Sequence, residues 1–426
     1  MVTVFPPATS PADARQARPT AASAMQTRPC NPQASLDMRI LRAPRAAPLK
    51  VSPRPAAFLR RGGAAPQDRL WATPKMAASQ IWQVTMDRFE LWKAGALRGA
   101  NAFAHHTVED LSALRGWGAN LVSYGVFSVL EFEEPFALRT DAFADIEGAL
   151  ERARQAGLFA TINYRTIPGR EDFNRDLRHF QDFRYHDAFV RMWRETARRL
   201  RGNEVVVGYD LMCEPHPEDL FSGADRSPAV FPEKARGTPA DWNLLARRAV
   251  EAIREEDEDT PIIVNSTGWA YPSTFDYLEA VDDPRTVYSV HFYQPHYYTH
   301  QKPSDGRAYP GFVDPAEPGR AWDSAVVEEK LQPVRRFQER HGVPIFVGEF
   351  GCARYAPGAR EWMRDQMDLY ERWSWSWAYW DLRGWEVMDI EMTPDPQDKT
   401  RHADTPMLRL FKGYFGRNTA FPARAG

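Results

Sequence analysis

The chain has 426 residues, 43% of them hydrophobic, and a formal net charge of −3 from 54 basic and 57 acidic side chains. That length supports a large buried core, and the near-balance of charge argues against a protein that coats nucleic acid. The average hides a split: residues 1–75 carry 12 Lys or Arg against 3 Asp or Glu, a net of +9, and 76–426 carry 42 basic and 54 acidic residues, a net of −12.

In chain order the basic segment comes first, with 12 of the 34 prolines and three aromatics, Phe5, Phe58 and Trp71. It has no sustained helical or strand periodicity. A Pro/Ala/Arg mixture of this kind buries too little apolar surface to offset the entropy of ordering. Residues 1–75 are therefore expected to be a disordered tail, the alternatives being an arm for anionic surfaces or a biological start at Met76. No apolar run of about 7–15 residues, which a secretory signal needs, is visible in it. No run in the chain approaches about 18 apolar residues, so no membrane span is expected. Three cysteines, Cys30, Cys213 and Cys352, are too few for a disulfide framework and lack zinc-site spacing.

From about residue 79 short apolar runs alternate with helical patterns. Strands are expected at 96–102, 119–124, 158–164, 204–212, 260–265, 286–293, 343–349 and 374–380. Apolar i, i+3, i+4 spacing predicts helices at 141–157 with Asp141 as N-cap, 184–201, 240–255, 324–340, and 357–372 with Pro357 near its first turn. Runs such as Val205-Val206-Val207 and Ile262-Ile263-Val264 are apolar throughout, which suits parallel strands covered on both faces. Residues 76–426 thus read as one α/β domain, a (β/α)8 TIM barrel with long βα loops. A doubly wound sheet is the runner-up, but no Gly-rich phosphate fingerprint follows an early strand and no repeat of fixed period is present.

In such a barrel the chemistry sits at the C-terminal ends of the strands. The fourth expected strand ends Gly208-Tyr209-Asp210-Leu211-Met212-Cys213-Glu214-Pro215-His216, and the seventh ends Val347-Gly348-Glu349-Phe350-Gly351. A carboxylate at the end of an apolar strand is costly to bury without partners. One such Glu is as readily a structural ion pair, but two on different strands match what glycosidic cleavage needs. One carboxylic acid protonates the departing oxygen and the other meets the anomeric carbon, with their pKa values pushed apart. The sixth strand ends His291-Phe292-Tyr293, and alternation puts His291 and Tyr293 on one face. The eighth carries Trp375, Trp377 and Tyr379 with Trp380 at its end, where a flat ring is either core filler or a surface for a sugar.

Cys213-Glu214-Pro215, His291-x-Tyr293, Gly348-Glu349-Phe350-Gly351 and Trp380, in that order, resemble glycoside hydrolase family 5, the cellulase family of retaining (β/α)8 hydrolases. The likeness covers 79–417 and extends to Leu97-Arg98-Gly99-Ala100-Asn101 and Arg354-Tyr355-Ala356-Pro357-Gly358. The resemblance implies Glu214 as acid/base, Glu349 as nucleophile, supporting roles for His291 and Tyr293, and Trp380 as the platform under the cleaved sugar. It implies no cofactor.

Three positions depart from the family pattern. Where the family has Arg after the second strand, this chain has Ser123. Where it has His ahead of Pro-Gly after the third, this chain has Arg165, and the Asn before the acid/base is Cys213. The first two changes read as one: a guanidinium at Arg165, with Ser123 making room, returns positive charge to Glu349 from a new direction. The family Asn donates to a sugar 2-hydroxyl, and a thiol does this poorly, which predicts weaker turnover or a substrate different at that position. A metal set of Cys213, Cys352 and His216 matches no known spacing, and two unrelated buried thiols are expected instead.

Trp269 and Tyr271 follow the fifth strand, His296, Tyr297, Tyr298 and His300 the sixth, and Trp385 the eighth, so an aromatic-lined cleft for an oligo- or polysaccharide is expected. The 214–240 and 294–323 loops would wall it. The leading reading is a retaining glycoside hydrolase on a β-linked glycan. The alternative is a weakened carbohydrate-binding barrel or a transglycosylase. A monomer is expected. Location stays open, since sugar-polymer hydrolases are commonly exported and no export signal is visible.

Overall fold

The computed structural model describes residues 87–422; the expected tail at 1–75, with Cys30, and residues 76–86 and 423–426 lie outside it. Eight parallel strands close into a barrel in sequential order: β1 (Arg98–Phe103), β2 (Leu121–Val126), β3 (Phe159–Tyr164), β4 (Val206–Asp210), β5 (Ile262–Asn265), β6 (Thr286–Phe292), β7 (Ile345–Phe350) and β8 (Ser376–Tyr379). Each expected strand window overlaps one of them. This is a TIM barrel, and the doubly wound alternative is excluded by the pairing of β8 with β1.

The expected helices form at Thr140–Ala156, Phe183–Leu200, Trp242–Arg254, Ser324–His341 and Ala359–Arg372. Asp182, Asp241 and Asp323 cap three of them by accepting a backbone N–H in the first turn. Asp141 does not: the helix starts one residue earlier and Asp141 lies in its first turn. The antiparallel bridge of Leu130 with Leu138 and the Arg139 N–H on the Val129 carbonyl keep the chain extended up to that point. Helices at Val108–Gly116 and Pro406–Phe415 follow β1 and β8, and a short helix at Arg88–Lys93 precedes β1. Among the described residues no helix is long and apolar enough to cross a membrane.

The barrel interior is divided by height. One buried apolar residue from each of β2 to β8 (Leu121, Phe159, Val207, Ile263, Val287, Phe346 and Ala378) packs with Leu91, Trp92 and Leu97 to plug the lower end. The Trp92 indole N–H donates to the Val207 carbonyl at 2.7 Å, so the first helix is pinned there. Higher up the buried residues turn polar: Ser123, Thr161, Asn163, Asp210, Asn265, Ser289, His291 and Glu349.

Two one-residue slips set the phase of this upper layer. One falls between Ala160 and Thr161, whose partners are Val206 and Gly208; the other lies between Val290 and His291, whose partners are Val347 and Glu349. A slip of one residue exchanges the two faces of a strand. In β7 it passes over Gly348 and turns Glu349 to the mouth. Only glycine fits there, because a Cβ would stand 2.7 Å from Ser289 Oγ and 2.8 Å from His291 Nε2. The Asn101 amide donates to the Gly348 carbonyl at 2.8 Å and holds the slip in place.

Outside the barrel, Trp193 is fully buried between helix and sheet, with its ring edge-on to Tyr164 at 4.9 Å and its N–H on the Leu211 carbonyl at 3.0 Å. Trp193→Ala is expected to lower the unfolding free energy by about 3–5 kcal/mol. Urea titration checks this, and a loss below about 1 kcal/mol would contradict the packing described.

Candidate active site

Glu349 sits at the end of β7, 5% exposed, with a partner on each oxygen. The Arg165 guanidinium, from just past β3, donates to Oε1 as a buried ion pair, and the Cys213 thiol donates to the same oxygen at 3.5 Å. The Tyr293 hydroxyl donates to Oε2 at 2.9 Å. Burial alone would raise the Glu349 pKa. The Arg165 charge outweighs it, aided by His291 and the two side-chain hydrogen bonds, and the carboxyl lies below its usual range.

Glu214 follows β4, and His291 Nδ1 lies 2.8 Å from its Oε1 and 3.8 Å from Glu349 Oε2. One imidazole nitrogen thus stands between the two carboxylates. Burial would lower the His291 pKa, but the Glu349 charge and the Glu214 hydrogen bond raise it. Burial, with the Glu349 and Glu214 charges, pushes the Tyr293 hydroxyl well above its ordinary range, so it stays a donor.

Arg165 is 6% exposed, so it is a buried residue of the mouth. Its guanidinium carbon lies 4.5 Å from the Trp380 ring centroid, 5.6 Å from Phe173 and 5.8 Å from Phe103. Gly125 leaves space beside it, since a Cβ there would approach Arg165 Nε to 3.2 Å. Ser123, the residue expected to make room, lies two positions earlier on β2 and is buried.

The aromatic residues divide. Trp380, Trp269, Trp385 and Tyr271 are half-buried at the mouth, and Tyr297 is 42% exposed. One face of Trp269 is already covered by His216, stacked at 3.6 Å between centroids and 10° between planes. Trp385 lies 5.9 Å from His300, which stacks on His296 at 3.9 Å. Tyr298 is not part of the cleft: it is fully buried with its hydroxyl on the Pro357 carbonyl, because the turn at His296–Thr299 points it into the core.

Cys213, His216 and Cys352 have separate surroundings. His216 meets the Glu214 carbonyl and Trp269, while Cys352 is buried against the Ala353 carbonyl at 3.7 Å. Among the described residues the close set of metal-ligand type is Cys213, His291 and Glu349, with ligand atoms within 4.8 Å. Arg165 already holds Glu349 there, and burial pushes the Cys213 thiol well above its usual pKa, so this set is a poor cation site.

Two further buried carboxyls were not singled out by the sequence pattern. Burial lifts Asp210, on β4 and bonded by the Asn265 amide at 2.6 Å, to about 7. It lifts Asp381, which accepts from the Trp385 N–H at 3.0 Å, to about 7 as well. Arg170, fully buried beside Cys213 and Glu214, was also missed; its only sequence signal is its place after Pro168-Gly169.

Residues 88–385 match the family model for cellulase, glycosyl hydrolase family 5. The chain belongs to that family. It is 24% identical to endoglucanase C of Acetivibrio thermocellus over 282 residues, 60% of this chain and 76% of that one. It is also 24% identical to cellodextrinase A of Ruminococcus flavefaciens over 249 residues, 57% and 67% of the two chains. Endoglucanase Cel5A from the hyperthermophilic Thermotoga maritima shares the fold, at 21% identity and a TM-score of 0.57 over 76% of this chain and 99% of that one. This family 5 member is a glycoside hydrolase, and the weakened-barrel alternative finds no support among these relatives.

Arg165→Gln removes the charge that offsets the burial of Glu349, so the carboxyl titrates at higher pH. The acid limb of kcat/KM is expected to move to higher pH, and kcat/KM at neutral pH to fall by about 10²-fold. Arg165→Lys, which keeps a charge, should lose less. A pH profile whose acid limb stays in place in Arg165→Gln would remove Arg165 from this role.

Proposed function

We propose that the protein is a retaining glycosidase of β-linked glycans that works by double displacement. Glu349, ionised and held by Arg165 and Tyr293, attacks the anomeric carbon. Glu214 gives its proton to the departing glycosidic oxygen as that bond breaks. The product is a glycosyl ester on Glu349. Glu214, now a carboxylate, takes a proton from the incoming water, whose oxygen displaces Glu349 and leaves the anomeric configuration unchanged.

The observation that carries this reading is the single His291 nitrogen within 2.8 Å of one carboxylate and 3.8 Å of the other. Pairs that retain configuration are spaced by roughly 5–5.5 Å, whereas inverting pairs need about 6.5–9.5 Å for an intervening water. A nitrogen in reach of both favours the closer class. The unequal surroundings of the two carboxyls support the division of labour, since the Glu349 carboxyl is bonded to a permanent cation and the Glu214 carboxyl to the imidazole.

Trp380, Trp269 and Trp385 offer ring faces for sugars, and Arg165 and Cys213 border the same space. The relatives named endoglucanase and cellodextrinase make β-linked glucans the first substrates to try.

A 2,4-dinitrophenyl 2-deoxy-2-fluoro-β-cellobioside is expected to label Glu349, located by peptide mass spectrometry, and proton NMR of early products should show retained configuration. On a panel of glucan, mannan and xylan with reducing-end detection, Glu214→Ala is expected to lose about 10²–10⁴-fold of the wild-type rate on whichever glycan is cleaved. Inverted product or label on another residue would overturn the assignment.

A further inference from the structure

Glu214 is held in an uncommon backbone conformation, with φ at +51°. A side chain other than glycine visits this left-handed region rarely and persists there only when its surroundings over-determine it. The surroundings in question are supplied by Arg170. Its Nη1 donates to the Cys213 carbonyl at 2.5 Å and its Nη2 to the Glu214 carbonyl at 3.1 Å. These are the two peptide groups on either side of the Glu214 Cα. The first carbonyl reports the rotation about φ and the second the rotation about ψ. One rigid, planar fork that holds both restrains the two backbone torsions from which the acid side chain leaves the chain.

The clamp is itself well anchored. Arg170 closes a turn in which its N–H meets the Ile167 carbonyl at 2.8 Å, and Gly169 between them leaves no room for a Cβ, which would come within 2.8 Å of His179 N and Tyr185 Cδ1. Its Nε and Nη2 donate to the Phe173 carbonyl at 3.3 and 3.2 Å, and the Phe173 ring lies 4.2 Å from the guanidinium carbon. Among the described residues Arg170 forms no ion pair, and its donors are met by the carbonyls of Phe173, Cys213 and Glu214. Burial pulls its pKa to about 10, and it remains charged at neutral pH. A fully buried cation that bonds only to backbone is expensive to keep unless the backbone it holds matters. His216 adds a second hold on the same peptide, 2.7 Å from the Glu214 carbonyl, with Trp269 stacked on its outer face.

We propose that Arg170 is a positioning residue for Glu214, gripping the carbonyls before and after it so that the carboxyl is aimed at the departing glycosidic oxygen. The inference rests on the acid/base reading of Glu214. It predicts a defect confined to the step that needs the acid: an aryl glycoside with a poor leaving group requires protonation, and one with an activated leaving group departs unaided.

The test compares kcat/KM for phenyl and 2,4-dinitrophenyl β-glycosides of the sugar that wild type cleaves, in the full chain and in Arg170→Met, Arg170→Lys and Glu214→Ala. Arg170→Met is expected to lose at least about tenfold more on the phenyl glycoside than on the dinitrophenyl one. Arg170→Lys, with a single compact donor group, should lie between Arg170→Met and wild type. It also serves as the milder variant if Arg170→Met does not fold, as judged by circular dichroism. Equal losses on both leaving groups in the folded Arg170 variants, with a strong leaving-group dependence in Glu214→Ala, would overturn the positioning role and leave the acid/base reading standing. No leaving-group dependence in Glu214→Ala would instead overturn that reading.

Discussion

The mouth of the barrel is organised around the buried pair of Arg165 and Glu349. A carboxylate as enclosed as Glu349 would be driven toward its protonated form, and a protonated carboxyl is no nucleophile. The guanidinium reverses the balance at close range, where little water screens it. Its own burial is made tolerable by Trp380, Phe103 and Phe173, whose rings surround the cation. Gly125 leaves the space it crosses. In the family pattern the arginine belongs to the second strand; here the third strand's residue delivers the charge and the second is reduced to Ser123 and Gly125.

Glu349 reaches that pair because β7 leaves simple alternation at Gly348. The apolar plug at the bottom follows one phase, and continuing it past Gly348 along β7 would have aimed Glu349 away from the axis. The two slips fall on β7, which carries Glu349, and on β4, which Glu214 follows. The same strands therefore serve a dry lower core and a polar upper layer, in which Asp210 is held near neutrality.

Buried arginines recur here as fasteners of backbone as well as partners of acids. Arg354 donates to the carbonyls of Glu386, Asp395 and Asp398 and draws the 386–398 loop together beside the mouth. Arg98 instead meets the Glu371 carboxylate through two nitrogens, at 2.6 and 2.8 Å, joining the start of β1 to the Ala359–Arg372 helix. The planar fork suits both tasks, since two parallel donors fix direction as well as distance.

The sequence by itself determined the alternation of strands and helices along the chain, the apolar faces and the identity of the polar residues at the strand ends, because a parallel barrel imposes runs of Val and Ile that local periodicity exposes. It marked Glu214, Glu349, His291 and Tyr293, since charge or polarity at the end of an apolar strand is visible without coordinates. Local chemistry did not place the N-cap of the Thr140–Ala156 helix, because a distant bridge, Leu130 with Leu138, set where the chain could turn. The exchange of Ser123 and Arg165 already pointed to a charge beside Glu349, and the structure seats it there as a buried ion pair; only the tertiary structure decided that Tyr298 belongs to the core and that Arg170 holds both carbonyls around Glu214. Each of these depends on which way a side chain leaves its element and on contacts between strands far apart in sequence, and a one-residue slip is enough to reverse that direction.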